Sequence, residues 1–279
     1  MKPTSKVLLS IALPSVAIAA VTVLYISTSS YFNEEAHAKN IQGLTSLSDD
    51  ALYKNKTMGV IVVPYFDPTD PQWNVIYQVA NQYPGTIRYV IINPCSGPCG
   101  KTLSDDWQQV ISILKSKKIK TLGYIFDSNE SFSNIDYYMR ANTPTDGIFF
   151  DNEGSTDTLN KFKEFADYVH SLGGTVYINP GYYYPYVTNY IKSGIADVVN
   201  IHEIGFDLST KILVNKELPK EKLSVILGNV TSTSDIEKMV RDVASKNVGI
   251  IYVYGNSYST LPSFFSEVVR QASIITIQS

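Results

Sequence analysis

A single (β/α)8 barrel is the fold class that the sequence predicts, and three observations point to it. Eight short apolar runs, each of strand length, recur between Gly59 and Tyr254. Each run is nearly continuous in apolar character, as strands covered on both faces should be. Amphipathic segments separate them, and the span of roughly 220 residues fits one closed barrel. An open doubly wound sheet would more often show fewer strands or a glycine-rich nucleotide turn.

In chain order the runs are GVIVVPY (59–65), IRYVIINP (87–94), IKTLGYIF (119–126), DGIFFD (146–151), GTVYINP (174–180), ADVVNIHE (196–203), LSVILGN (223–229) and VGIIYVY (248–254). Helical signals fill the gaps. Asp70 can cap a helix that has Pro71 in its first position. Trp107, Val110, Ile111 and Leu114 fall on one helical face, and so do Phe162, Phe165, Ala166 and Val169. Ser234 to Glu237 reads as a capping box ahead of Met239, Val240 and Val243. SLGG at 171–174 reads as a helix end with a glycine stop. Residues 207–219 carry the weakest helical pattern.

Three segments are expected. Residues 1–28 hold Lys2 and Lys6 followed by the uncharged run 7–26, about the length that spans a bilayer. This reads as a membrane anchor; a signal peptide cut near AHA (36–38) is the alternative. The flanking charges place the N-terminus in the cytoplasm and the remainder outside it. Residues 29–57 are a polar tether and residues 58–279 the barrel. The expected location is therefore extracytoplasmic, either secreted or tied to the membrane through the N-terminal helix.

A formal charge of −3 argues against a nucleic-acid partner, which calls for a basic stripe. Twenty tyrosines, many beside Pro, Gly and Asn where segments end, suit a surface that stacks on sugar rings. Cys95 and Cys99, the only two cysteines, are expected to close a small disulfide ring in an oxidising compartment. Three histidines, His37, His170 and His202, are too few and too scattered for a multi-histidine metal site. No phosphate loop, dinucleotide turn or nucleophile elbow occurs, so neither metal nor cofactor is expected.

Active sites of such barrels sit at the C-terminal ends of the strands. Those ends carry Tyr65, Asn93, Tyr124, Asp151, Asn152, Glu153, Asn179, Glu203 and Tyr254. Asp151, Glu203 and Glu153 are the candidate catalytic carboxylates, because a carboxylate pair suffices for glycosidic cleavage. Tyr65, Tyr124 and Tyr254 are expected to line the cleft. Asn93 and Asn179 can bind sugar hydroxyls or close turns before Pro. His202 reads as a packed or hydrogen-bonded neighbour of the site and Asn152 as a further substrate contact. Strand alternation puts Glu203 and Ile201 on one face, and Asn200 and His202 on the other.

VVPYFDP with Trp73, IINPCSGPCG, TLGYIF, DGIFFDNEG, YINPG and VVNIHE together resemble the spherulin-4-like (spherulation-specific) family of (β/α)8 glycoside hydrolases. The resemblance covers roughly residues 59–205. It implies an exported, endo-acting enzyme that cleaves galactosamine-type polysaccharide, with an Asp-Glu pair ending strand four and a Glu ending strand six. Asp151 and Glu203 match this pattern. The second member of the pair does not, since position 152 is Asn and the next acid is Glu153. A noncatalytic glycan-binding cell-surface barrel is the alternative that this departure allows.

Overall fold

In the computed structural model the eight apolar runs form eight parallel strands that close in sequence order, β1 to β8. The structure describes residues 57–126, 131–151, 159–181, 187–203 and 218–275. Its elements are β1 (Gly59–Val62), α1 (Gln72–Gln82), β2 (Ile87–Ile92), α2 (Asp105–Ser116), β3 (Lys120–Phe126), α3 (Phe132–Met139), β4 (Gly147–Asp151) and α4 (Leu159–Ser171). They continue as β5 (Thr175–Asn179), α5 (Val187–Lys192), β6 (Val198–Glu203), β7 (Leu223–Leu227), α6 (Ile236–Ser245), β8 (Ile250–Val253) and α7 (Phe265–Ile274).

The N-terminal expectation is corrected. Among the described residues no helix is long and apolar enough to cross a membrane. The expected anchor or signal helix over 1–28 lies outside the described residues, as does the tether apart from Thr57. The fold of the described residues is the barrel, with no membrane-spanning helix among them, and the membrane is withdrawn as a partner. Glu153, Asn152 and most of the weak helix at 207–219 also lie outside the described residues.

Both faces of the sheet are dry, which explains the unbroken apolar runs. Tyr89, Phe149 and Tyr177 pack ring against ring inside the barrel, at centroid distances of 5.6 and 5.2 Å. One residue on, Phe150 points the other way and meets Phe162 of α4 at 4.9 Å. The same alternation carries Asp151, two residues beyond Phe149, to the lumen side of the rim. On the outer face Gly123 sits under the buried Tyr138; a Cβ there would lie 2.2 Å from the ring. Glycine is what lets α3 settle onto β3.

Most expected caps form. Asp70 accepts the Gln72 N–H at 2.8 Å; Ser104, a cap not among those expected from the sequence, accepts that of Trp107 at 3.4 Å. Gly173 ends α4 with φ of 76°. The capping box at Ser234–Glu237 does not form. Ser234 turns back to Ser232, its N–H bonding the Ser232 hydroxyl at 3.2 Å, while Glu237 pairs with Arg241 at 3.0 Å. A run of hydroxyl residues offers the backbone a local alternative to the helix cap.

Two matching clamps close the N-terminal face, away from the rim. Asp146, just before β4, accepts the Thr121 N–H and hydroxyl at 2.8 and 2.9 Å, with Lys115 at 3.1 Å. Asp197, just before β6, accepts the Val176 N–H at 2.9 Å, with His170 at 3.0 Å. Each carboxylate ties its own strand to the preceding one and to the helix before that. Replacing Asp146 by Ala strands the Thr121 donors, and should destabilise the barrel by about 1–3 kcal/mol. Urea unfolding would read this as a lower midpoint at unchanged slope.

Candidate active site

The rim above the aromatic layer is built around one buried amide. Asn179, at the end of β5 and 2% exposed, points its Nδ2 at two carboxylates. It donates to Asp151 Oδ1 at 2.7 Å and also to Glu203 Oε2. Its orientation is imposed from behind. Asn179 Oδ1 accepts Asn200 Nδ2 at 2.7 Å and the Gly181 N–H at 3.1 Å. Asn200 is in turn held by the Ser224 hydroxyl at 3.2 Å. Asn200 and Ser224 are fully buried. Burying this chain is tolerable because each polar group finds a partner.

Register explains how β6 supplies two members. Val199 and Asn200 pair with Leu223 and Ser224, but Glu203 pairs with Ile226, so β6 holds one residue more than β7 over that stretch. Such a bulge turns the strand locally and re-aims a side chain. Simple alternation separates Asn200 from Glu203; the bulge brings both to Asn179. The Glu203 N–H also bonds the Gly181 carbonyl at 3.0 Å, which pins the bulge to β5.

Phenols complete both carboxylates. Tyr124 of β3 donates to Asp151 Oδ2 at 2.5 Å, and the Tyr65 ring packs edge-on against Tyr124 at 5.7 Å. Tyr258, from the loop after β8, donates to Glu203 Oε1 at 2.7 Å. Its ring stacks on Tyr254 at 4.1 Å, and its carbonyl accepts the Tyr65 N–H at 2.9 Å. Tyr254 lies over Gly228, where a Cβ would come within 2.3 Å of the ring. Each carboxylate thus accepts from the Asn179 amide and from a phenol.

Hydrogen bonds to a charged carboxylate contribute about 1.5–3 kcal/mol each, so the amide and phenol donors hold both side chains in place.

The other expected site residues fall as follows. Asn93 accepts the Gly97 N–H at 2.9 Å and so organises the loop of the Cys95–Cys99 disulfide, which is formed. His202 is half-buried and its Nε2 has no hydrogen-bond partner among the described residues. Phe126, in register with Asp151, is 37% exposed on the rim. A cavity of about 900 Å³ between Lys101 and Arg140 touches none of these residues. Among the described residues no group of His, Cys, Asp and Glu could hold a metal. Sequence reading passes over Tyr258, Asn200, Ser224 and Phe126. Tyr258 had a signal, an aromatic in the short loop after the last strand; the buried pair had none beyond polarity within apolar runs.

Residues 59–272 match Spherulin4, described as spherulation-specific family 4. No curated protein matches the sequence. Among solved structures the chain is similar to Aspergillus clavatus Sph3 in complex with GalNAc. That match has 22% identity and a TM-score of 0.66, covering 78% of this chain and 98% of that one. It is also similar to a GH18 chitinase from Pseudoalteromonas aurantia, at 10% identity and a TM-score of 0.53, covering 77% of this chain and 99% of that one. At these identities the likeness is one of fold.

The phenols of Tyr65, Tyr124 and Tyr258 are all raised well above the ordinary value, first by burial. The next causes are the neighbouring Tyr124 for Tyr65, Asp151 for Tyr124 and Glu203 for Tyr258. In the unfolded chain they ionise near pH 10. Their contribution to stability is therefore complete below about pH 10 and is lost as pH rises toward the folded values. Absorbance at 295 nm during alkaline titration should show a set of tyrosines that ionises only together with unfolding.

Proposed function

The chain belongs to Spherulin4, the spherulation-specific family 4, and from that premise we propose that it hydrolyses glycosidic bonds in an amino-sugar polysaccharide. The observation that carries this reading is the sharing of Asn179 Nδ2 by Asp151 and Glu203. Two hydrogen bonds to one nitrogen keep the nearest carboxylate oxygens within about 5 Å. That spacing suits a double displacement with retained stereochemistry rather than inversion, which needs about 6.5–9.5 Å.

In this scheme one carboxyl protonates the leaving glycosidic oxygen while the other attacks the anomeric carbon. Water then releases the sugar, giving its proton back to the first group. Tyr124 and Tyr258 hold the two acids at fixed angles, which reduces the reorganisation needed at the transition state. Phe126, Tyr254 and Tyr65 offer ring faces to a pyranose. Asp151 and Glu203 are the two described candidates for the chemistry. Asn152 and Glu153 stay as proposals from sequence, Asn152 as a substrate contact and Glu153 as a third acid.

GalNAc as the ligand of the similar Aspergillus structure supports galactosamine-type polymers as the first substrates to try. Endo-action is proposed on the same footing. The Cys95–Cys99 disulfide supports an extracytoplasmic location, since such bonds persist in oxidising compartments. The second reading, a barrel that binds glycan without cleaving it, draws on Asn152 standing where the family pattern has an acid.

Asp151→Asn and Glu203→Gln should each lower kcat on galactosamine-type polymer by about 10²–10⁴-fold with the thermal midpoint little changed. With small-side-chain variants, azide should give a glycosyl azide of inverted configuration from the nucleophile variant and of retained configuration from the acid/base variant, which assigns the two roles. Parent-like rates in both variants would remove the carboxylates from the mechanism. Tight binding by the parent with no new reducing ends would favour the noncatalytic reading.

A further inference from the structure

A second cavity, of about 270 Å³, opens beside the rim between the loops after β1 and β2. Its lining includes Tyr65, Asp67, Asn93, Cys95, Ser96 and Trp107. The volume is close to the lower end of pockets that take a small organic ring. Tyr65 lines this pocket and packs against Tyr124, the phenol donor to Asp151, so the two are contiguous.

The pocket is rigid on every side. One wall is the CSGPC loop, whose Ser96 and Gly97 take φ of 57° and 135°. The Cys95–Cys99 bond closes that loop. Asn93 grips the Gly97 N–H, and Tyr137 donates to the Cys99 carbonyl at 2.9 Å. The opposite wall is held by Trp73, whose Nε1 donates to the Asp67 carbonyl at 2.9 Å. Trp73 packs edge-on against Trp107 at 5.9 Å.

Within this fixed frame the polar heads are uncommitted. The Asp67 carboxylate has no hydrogen-bond partner among the described residues and is exposed, as is Ser96. A carboxylate, a hydroxyl and a phenol ring around a ring-sized space match the hydroxyls, or a free amine, of one pyranose. A phosphate or carboxylate ligand would instead meet the charge of Asp67.

We propose that this pocket is an outer sugar subsite: it holds one further unit of the polymer beyond the bond at Asp151, with Asp67 and Ser96 as its hydrogen-bonding groups. The identity of the ligand rests on the hydrolase reading above; the existence of the subsite does not. The disulfide then serves recognition, by presetting the loop so that its ordering does not oppose binding.

The chain has two tryptophans, and both belong to this pocket or its support, so intrinsic fluorescence reads it directly. Galactosamine-type oligomers of two to seven units, N-acetylated and not, would be titrated into the full-length protein. The parent should give a saturable fluorescence change, and its kcat/KM should rise steeply with chain length. Asp67→Asn should weaken binding by about tenfold or more, the size expected for one lost contact to a charged group, and Ser96→Ala by about two- to tenfold, the size for a neutral one; a Cys95→Ser/Cys99→Ser double variant should weaken it as well. All three should flatten the chain-length dependence while leaving the turnover of the shortest cleaved oligomer unchanged.

Circular dichroism on each variant separates misfolding from lost binding, and the two single surface substitutions keep the test open if the double variant does not fold. Parent-like affinity and chain-length dependence in Asp67→Asn and Ser96→Ala would overturn the subsite. Asp67-dependent binding by a parent that cleaves nothing would support the subsite and overturn the hydrolase reading instead.

Discussion

Everything at the rim depends on one side-chain amide, that of Asn179. An amide has one donor end and one acceptor end, and here the ends cannot exchange. The acceptor is committed to Asn200 and the Gly181 N–H, so both donor hydrogens must face Asp151 and Glu203. Two carboxylates brought this close repel each other. The amide, backed by Tyr124 and Tyr258, supplies the donors that let both stay near each other.

That amide is steered in turn by the interior. Asn200 and Ser224 lie wholly inside a barrel whose lumen is otherwise filled by rings such as Phe149 and Tyr177. In such surroundings an unmet polar group costs free energy, so the chain Ser224, Asn200, Asn179 has one good arrangement and is held to it. The bulge in β6 belongs to the same device. It spends one residue of regular pairing to put Asn200 below Glu203 on a common target.

The two faces of the barrel divide the work. The Asp146 and Asp197 clamps tie strand starts together on the N-terminal face. On the other face the loops after β1, β2 and β8 are tied by Trp73, by the disulfide and by Tyr258. Part of the tyrosine excess forms one connected set on that face. Tyr65, Tyr124, Tyr252, Tyr254 and Tyr258 stack on or bond to one another around the two acids.

Strand number, strand order and the rim position of Asp151, Asn179, Glu203, Tyr65 and Tyr124 were legible in the chain itself. Period and length in apolar runs record which faces are dry, and on this fold a strand's last residue is a site residue by geometry alone. The helix expected over 7–26 shows the limit of the same reasoning: hydropathy alone suggested a membrane span that no described helix supplies. Partnerships were not legible. That Asn93 serves a loop while Asn179 serves two acids depends on which atoms lie opposite, and Tyr258 reaches Glu203 across 55 positions of sequence. The bulge in β6 leaves no mark in the run ADVVNIHE. Local pattern encodes burial and direction residue by residue, whereas hydrogen-bond identity is fixed only when distant segments meet in the closed barrel.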